Sequence, residues 1–215
     1  MKSIIEHVVL FKIKEEASQS EIHSFVEQVN SLVSLEQPLH LTMGPLTTIQ
    51  SSSLSSFSFT HILHIRFSSK EDLHAYAVHP THVSVVNDNK SLVVDKMALD
   101  WVTEVHGDDL VLPVESALRV VFFKLKEGLG EDVKEEVLKG VNGIQRGKVV
   151  QFTCGENFSA GRSKGFSIGS LAVFPGLSEL KEVDSDEEFR KYEKIKENLD
   201  TVLLLDYVGH GQTAS

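Results

Sequence analysis

HVVLFKIKE at residues 7–15 returns as RVVFFKLKE at residues 119–127, and LDWV at residues 99–102 returns as LDYV at residues 205–208. One unit of roughly one hundred residues is thus written twice in a chain of 215. In the opening stretch, Ile5, His7, Val9 and Phe11 share one strand face, and Val8 and Leu10 occupy the other. Both faces are largely apolar, as expected of a sheet with helices on one side and a second sheet on the other. The frame is repeated, but its histidines are not. Eight of the ten lie within the first 82 residues, and none lies between Gly107 and Gly209, so imidazole chemistry is expected in the first copy alone.

Beyond this strand the hydrophobic period changes. Ile22, Phe25, Val26, Val29, Leu32 and Val33 form the stripe of an amphipathic helix, Ser18 and Glu21 are spaced as its reciprocal cap, and Pro38 bars its extension. A second strand is predicted over residues 39–44, a serine-rich loop over 51–58, and FTHILHIRF at 59–67 is the clearest third strand. Ser68 and Glu71 form another capping pattern ahead of Leu73, Ala75 and Tyr76, and Pro80 ends regular helix near His79. A turn or short helix then covers HVSVVND, before a last strand from Val93 to Val102. The order is β-α-β-β-α-β.

The second copy repeats it. Val133, Val137 and Val141 mark its first helix, weakened at the end by Gly140 and Gly143, and FSIGSLAVF at 166–174 is its central strand. Ser185 and Glu188 cap a short helix leading to Tyr192, and VLLLDYV at 202–208 closes the unit. The expected division is a first domain at residues 1–103, a polar linker at 104–115, a second domain at 116–208 and a frayed tail at 209–215. Each unit leaves one apolar sheet face needing cover, so the two sheets are expected to meet in a shared, barrel-like core.

A net charge of −10 without a basic cluster disfavours nucleic acid, and Lys12, Lys14, Lys124 and Lys126 read as solvent-facing strand positions. No apolar run reaches the roughly 20 residues of a membrane span, and no secretory signal opens the chain. Cys154 stands alone, which excludes an intrachain disulfide and suits a reducing compartment; with no histidine in its copy to activate it, it reads as a small hydrophobe. A cytoplasmic protein is expected, with a peroxisomal or other organellar location left open. His74, His79 and His82 do not have zinc-ligand spacing, and the glycines around Gly161 and Gly165 lack a phosphate-binding fingerprint. Neither a transition metal nor an organic cofactor is expected, weak magnesium coordination by loop carbonyls is left open, and those glycines read as flexible turns.

HVVLFK at His7, FTHILHIRF and AYAVHPTHV at 75–83, echoed by RVVFFKLKE, EEFRKY at 187–192 and LLLDYV at 203–208, together resemble the plant stress-responsive α/β-barrel domain of the dimeric alpha-beta barrel superfamily. The resemblance covers residues 3–103 and 117–208 and points to the subgroup with two fused domains. It implies an α+β fold of tandem ferredoxin-like dimeric alpha-beta barrel domains forming an intramolecular pseudo-dimer, with further homodimerisation open. Family members are small, heat-stable, stress-induced plant proteins, some linked to defence against fungi. One is a polyketide cyclase that performs an intramolecular aldol condensation without a metal or organic cofactor.

That cyclase uses a tyrosine and a histidine that correspond to Tyr76 and His82, and histidines corresponding to His7 and His61 border its pocket. Strand parity groups His7 with Val9 and Phe11, and His61 with Leu63 and Ile65, which places two polar tips in an otherwise apolar wall. The second copy has Arg119, Ile168 and Asn198 in place of these three histidines and keeps only Tyr192. Two functions follow from the resemblance. The first is a stress-response or defence protein, antifungal among its outputs, acting by surface interaction or by binding a small apolar or phenolic ligand. The alternative is a cofactor-independent polyketide cyclase or lyase-like enzyme. In it His82 is the general base, Tyr76 the hydrogen-bond donor, His7 and His61 the groups that orient substrate oxygens, and Val9, Phe11, Leu63 and Ile65 the apolar wall.

Overall fold

A computed structural model of the chain describes residues 1–53, 57–144, 147–183 and 185–209. The first copy runs β1 (Lys2–Ile13), α1 (Gln19–Ser31), β2 (Pro38–Ser51), β3 (His61–Phe67), α2 (Lys70–Val78), α3 (Pro80–Asp88) and β4 (Val93–Val105). The second runs β5 (Ala117–Leu125), α4 (Glu131–Asn142), β6 (Gln151–Glu156), β7 (Ile168–Phe174), α5 (Leu177–Lys181), α6 (Ser185–Lys191) and β8 (Leu199–Val208). These strands form one sheet in the order β4-β1-β3-β2-β8-β5-β7-β6, each copy giving four neighbours in the same internal order. Its two ends nearly meet. The chain is therefore two tandem ferredoxin-like α+β units closed into an intramolecular pseudo-dimeric barrel.

The two seams between copies differ. The second half of β2 pairs antiparallel with β8, Leu46 opposite Tyr207 and Ser51 opposite Leu203. That partner explains why β2 runs well beyond the predicted residues 39–44: its later part is a strand only because the other copy completes its hydrogen bonds. At the opposite seam, β4 meets the chain just past β6 through a single bridge between Trp101 and Asn157. Trp101 is fully buried there. A Cβ on Gly155 would lie 2.8 Å from Val102 O, and one on Gly169 would lie 2.7 Å from the indole, so both positions need glycine to admit the ring.

Strand alternation divides the core. Val8, Leu10, Ile62 and Leu99 face Val120, Phe122, Leu171 and Leu203 inside the barrel, while Ile5, Val9, Leu63 and Ile65 pack outward with Phe25 and Val29 of α1. In the second copy Val121 and Phe123 meet Val137 and Val141 of α4. The reciprocal cap of α1 is present: Ser18 N donates to Glu21 Oε2 at 2.8 Å, and Glu21 N donates to Ser18 Oγ at 3.3 Å. The cap of α2 is Ser69 rather than Ser68, because β3 runs to Phe67 and Ser69 Oγ is the acceptor for Asp72 N, at 3.1 Å. Pro80 does end the helix before it, α2 stopping at Val78 with His79 as its cap. It opens α3 from the first turn, where its missing N–H costs no bond, after His79 turns the chain with an extended ψ of 132°.

The connection over residues 104–115 is more than a polar tether, since Leu112 is buried in the barrel core. The predicted Ser185 cap, residues 54–56 of the serine-rich loop and residues 210–215 of the tail lie outside the described side chains and residues. No helix among the described residues is long and apolar enough to cross a membrane.

One part of the barrel interior is ionic. Glu6, His64 and Arg66 have no exposed surface. Glu6 accepts hydrogen bonds from His64 Nε2 at 2.6 Å, from Arg66 Nη2 at 2.8 Å and from Thr153 Oγ1 of the second copy at 3.1 Å. Arg66 also donates to Gln151 Oε1 and to Asp109 O, both at 2.6 Å, and so ties β3 to β6 and to the connection. Burial opposes a charge on Glu6, but Arg66 and His64 outweigh it and hold the carboxyl well below its usual range. Burial, reinforced by His64 and Arg66, pushes the neighbouring His40 down to about 3.

Candidate functional site

Strands β1 and β3 turn His7, Val9, Phe11 and Leu63 toward the helices, and α2 and α3 lay Tyr76 and His82 over them. These six side chains line one cleft of about 530 Å³. An adjoining cavity of about 410 Å³ shares Phe11, Leu63, Tyr76 and His82 and extends between α1 and α3 past Phe25, Val29 and Leu32. His61 and Ile65 line neither cavity. His61 sits at the start of β3 opposite Phe11 and bonds Thr60 Oγ1 at 2.9 Å, while Ile65 is covered in the helix-side core.

Tyr76 is 2% exposed, yet its hydroxyl has no hydrogen-bond partner among the described residues. Burial raises its pKa, which keeps the phenol protonated and able to donate. Its ring lies 4.6 Å from that of His82, centroid to centroid. Because α3 starts at Pro80, His82 falls in the first turn and can reach back to Ala77 O, 3.0 Å from Nδ1. Donation from Nδ1 leaves the lone pair on Nε2. Burial lowers the His82 pKa more than the Ala77 bond raises it, so the imidazole is held as the neutral base. His79 is placed elsewhere: its Nδ1 accepts from Thr81 N at 3.2 Å and caps α3.

His7 has a partner that inspection of the histidines alone missed. The register of β1 and β4 sets Asp100 directly opposite it, and His7 Nδ1 bonds Asp100 Oδ1. Asp100 is fully buried. Burial opposes its charge, but the bonds from His7 and Ser159 and the Arg162 guanidinium hold its carboxyl below the usual carboxylate range. The repeated LD of LDWV and LDYV was the available signal for Asp100.

Ser159 and Arg162 belong to the second copy. Ser159 Oγ donates to Asp100 Oδ2, and Arg162 Nη2 donates to the same oxygen at 2.5 Å. Asn157 Oδ1 accepts from Asp100 N at 3.0 Å, and Phe158 carries the Lys70 amine 4.3 Å above its ring, which fastens this loop to both β4 and α2. Gly161, Arg162 and Lys164 line the cleft. The glycine segment read as a flexible turn is therefore a wall of the first-copy site. No local pattern foretold this, because the contact joins residues about sixty positions apart across the copies.

The corresponding place in the second copy is filled. Arg119 faces Asp206 and bonds it twice, Nε to Oδ1 at 2.8 Å and Nη2 to Oδ2 at 2.9 Å. Tyr192 Oη donates to Glu188 Oε1 at 2.7 Å. The cavity beside Arg119 and Glu188 is about 10 Å³.

The family profile described as the stress responsive A/B barrel domain matches residues 5–103 and again residues 118–209. The stress-response A/B barrel domain-containing protein DABB1 of Arabidopsis thaliana is 41% identical over 208 residues, covering 96% of this chain and 97% of its own. A second stress-response A/B barrel domain-containing protein of the same plant is 39% identical over 211 residues, covering 95% of this chain and 78% of its own. The crystal structure of a candidate monooxygenase from Fusobacterium nucleatum subsp. nucleatum, only 10% identical, aligns over 100% of this chain and 99% of its own with a TM-score of 0.60, a likeness of fold alone. The chain belongs to the stress-responsive A/B barrel domain family and carries that domain twice.

Proposed function

We propose that this stress-response family protein works by binding a small apolar or phenolic ligand with at least one oxygen acceptor in the first-copy cleft. The observation that carries the proposal is the Tyr76 hydroxyl: buried, protonated and without a partner among the described residues, in the wall of a cavity large enough for a small molecule. An unsatisfied buried donor is costly to the folded chain, and a ligand oxygen would remove that cost. Titrating the full chain with linear polyketides and phenols tests it. Binding weakened by about tenfold in Tyr76→Phe supports the proposal, and absence of binding by every compound defeats it.

A catalytic reading is favoured by one further feature, the base-ready tautomer of His82 beside that phenol. In an intramolecular aldol step, His82 Nε2 would take the proton from a carbon between two carbonyls. The released electron pair would form the new C–C bond at a ketone carbon, and the resulting alkoxide would take its proton from Tyr76 or from the imidazolium. His82→Ala would then slow product formation by roughly 10²–10⁴. Equal turnover by wild type and His82→Ala would leave the cleft a binding site only.

A further inference from the structure

The chain as a whole is acidic, at −10. The lining of the two joined cavities is the reverse: Lys90, Lys96, Arg162 and Lys164 stand against one lining carboxylate, Asp95. That carboxylate is already paired with Lys164, at 2.9 Å. Arg162 uses Nη2 on Asp100 and Ser159, and its Nε and Nη1 have no partner among the described residues. The Lys96 amine likewise has no ion pair among them, although its side chain lines both cavities. Arg162 and Lys164 come from the second copy and Lys90 and Lys96 from the first, while Phe25, Val29 and Leu32 give the adjoining cavity an apolar wall.

From this polarity we infer that the second-copy loop makes the first-copy site selective for an amphipathic monoanion, a carboxylate head on an apolar body. Lys96 and Arg162 receive the head. The inference rests on the reading of the cleft as a ligand site and adds the ligand's charge to it. The guanidinium is suited to the task because Nη1 keeps its N–H groups for a charge-assisted bond to a carboxylate oxygen, and its anchorage on Asp100 holds the group in place before the ligand arrives. Lys164 lines the same cleft from a left-handed backbone, φ 51°, next to Gly165 at φ 87°, with its amine held by Asp95. Phe25, Val29 and Leu32 supply the wall against which the apolar body packs.

Octanoate and octanamide differ in head-group charge and hardly in size, which makes them a matched pair for calorimetric titration of the full chain at pH 7. Octanoate is expected to bind about tenfold tighter than octanamide. Raising the salt from low to high should erode that advantage while leaving octanamide unchanged, a comparison that needs no variant. In the Lys96→Gln/Arg162→Gln double variant the ratio should fall below about twofold. The charge-keeping pair Lys96→Arg/Arg162→Lys should retain most of it, and Lys96→Gln alone, which does not touch Asp100, should show part of the loss. Equal affinity for both compounds in the wild type overturns the inference and leaves the ligand site standing. A preference that survives in the neutral double variant also overturns it. If neither compound binds the wild type, the reading of the cleft fails and this inference fails with it.

Discussion

The two copies differ in the charge they bury, since only the first has an ionic set inside the barrel among the described residues. Inside the barrel, the first copy has Glu6, His64 and Arg66 where the equivalent positions of the second are Leu118, Leu171 and Val173, all in the apolar core. On the helix side both copies carry a charged pair, but the first keeps His7 and Asp100 beside an open cleft, and the second fills the space with Arg119, Asp206, Glu188 and Tyr192. An aspartate at the end of the unit is present in both, so its partner decides the outcome. A forked arginine with a second carboxylate behind it occupies the volume, whereas the smaller imidazole leaves room. The lesson is that the same strand position can border a cavity in one copy and complete a structural ion pair in the other.

The comparison breaks most visibly at the interior charges. Arg66→Leu leaves Glu6 buried without its cation and should cost about 3–5 kcal/mol in urea unfolding. Installing the second copy's residues together, Glu6→Leu, His64→Leu and Arg66→Val, should recover most of that loss, because an apolar set of fitting volume has no charge to desolvate. A cost below about 1 kcal/mol for Arg66→Leu alone would show that the three groups are not an obligatory unit.

A smaller effect is expected on the other side. Arg119→Leu strands the Asp206 carboxylate, and about 3 kcal/mol of stability should be lost by the same measurement. Octanoate affinity at the first-copy cleft should change by less than about twofold. A larger change in affinity would mean that the second copy's ion pair, and not only its loop, shapes the site.

The smallest effect is a pH slope. His40 has an ordinary value of 6.5 and a folded value of about 3, so between these limits the unfolded chain binds a proton that the folded chain does not. The sign follows: the contribution is complete above pH 6.5 and declines by about 1.4 kcal/mol per unit as pH falls toward 3. Burial lowers His64 as well and acts in the same direction. Urea midpoints at pH 7, 6 and 5 should fall steadily in wild type and less steeply in His40→Leu. An unchanged slope would move the titration to another group.

The repeated HVVLFKIKE and RVVFFKLKE, the Ser18 cap and the strand parity made each unit legible, since these are local signals of period and capping. The joined sheet was legible only as an expectation from uncovered apolar faces. The extension of β2 to Ser51 was not legible, because it exists through β8 of the other copy. Within the site, parity correctly grouped His7, Val9 and Phe11 on the face that lines the cleft, but the same parity put His61 and Ile65 on a wall they do not reach. Alternation assigns a face and says nothing of position along the strand or of what covers it. Glu6, His64 and Arg66 escaped notice for a related reason: an interior ionic set looks in sequence like any solvent-facing alternation.

Carrying both halves on one chain has a consequence for what the barrel can hold. In a symmetric pair of identical single domains, every interior residue occurs twice, and Glu6, His64 and Arg66 would face copies of themselves across the axis. Two such sets of ionisable groups would then share a space that here holds one set and is sealed by Leu118, Leu171 and Val173. Symmetry would also forbid one half from giving up its cleft to brace the other. Fusion removes both constraints, and because Arg162 is covalently tethered to the site it completes, that site stays whole however dilute the protein becomes.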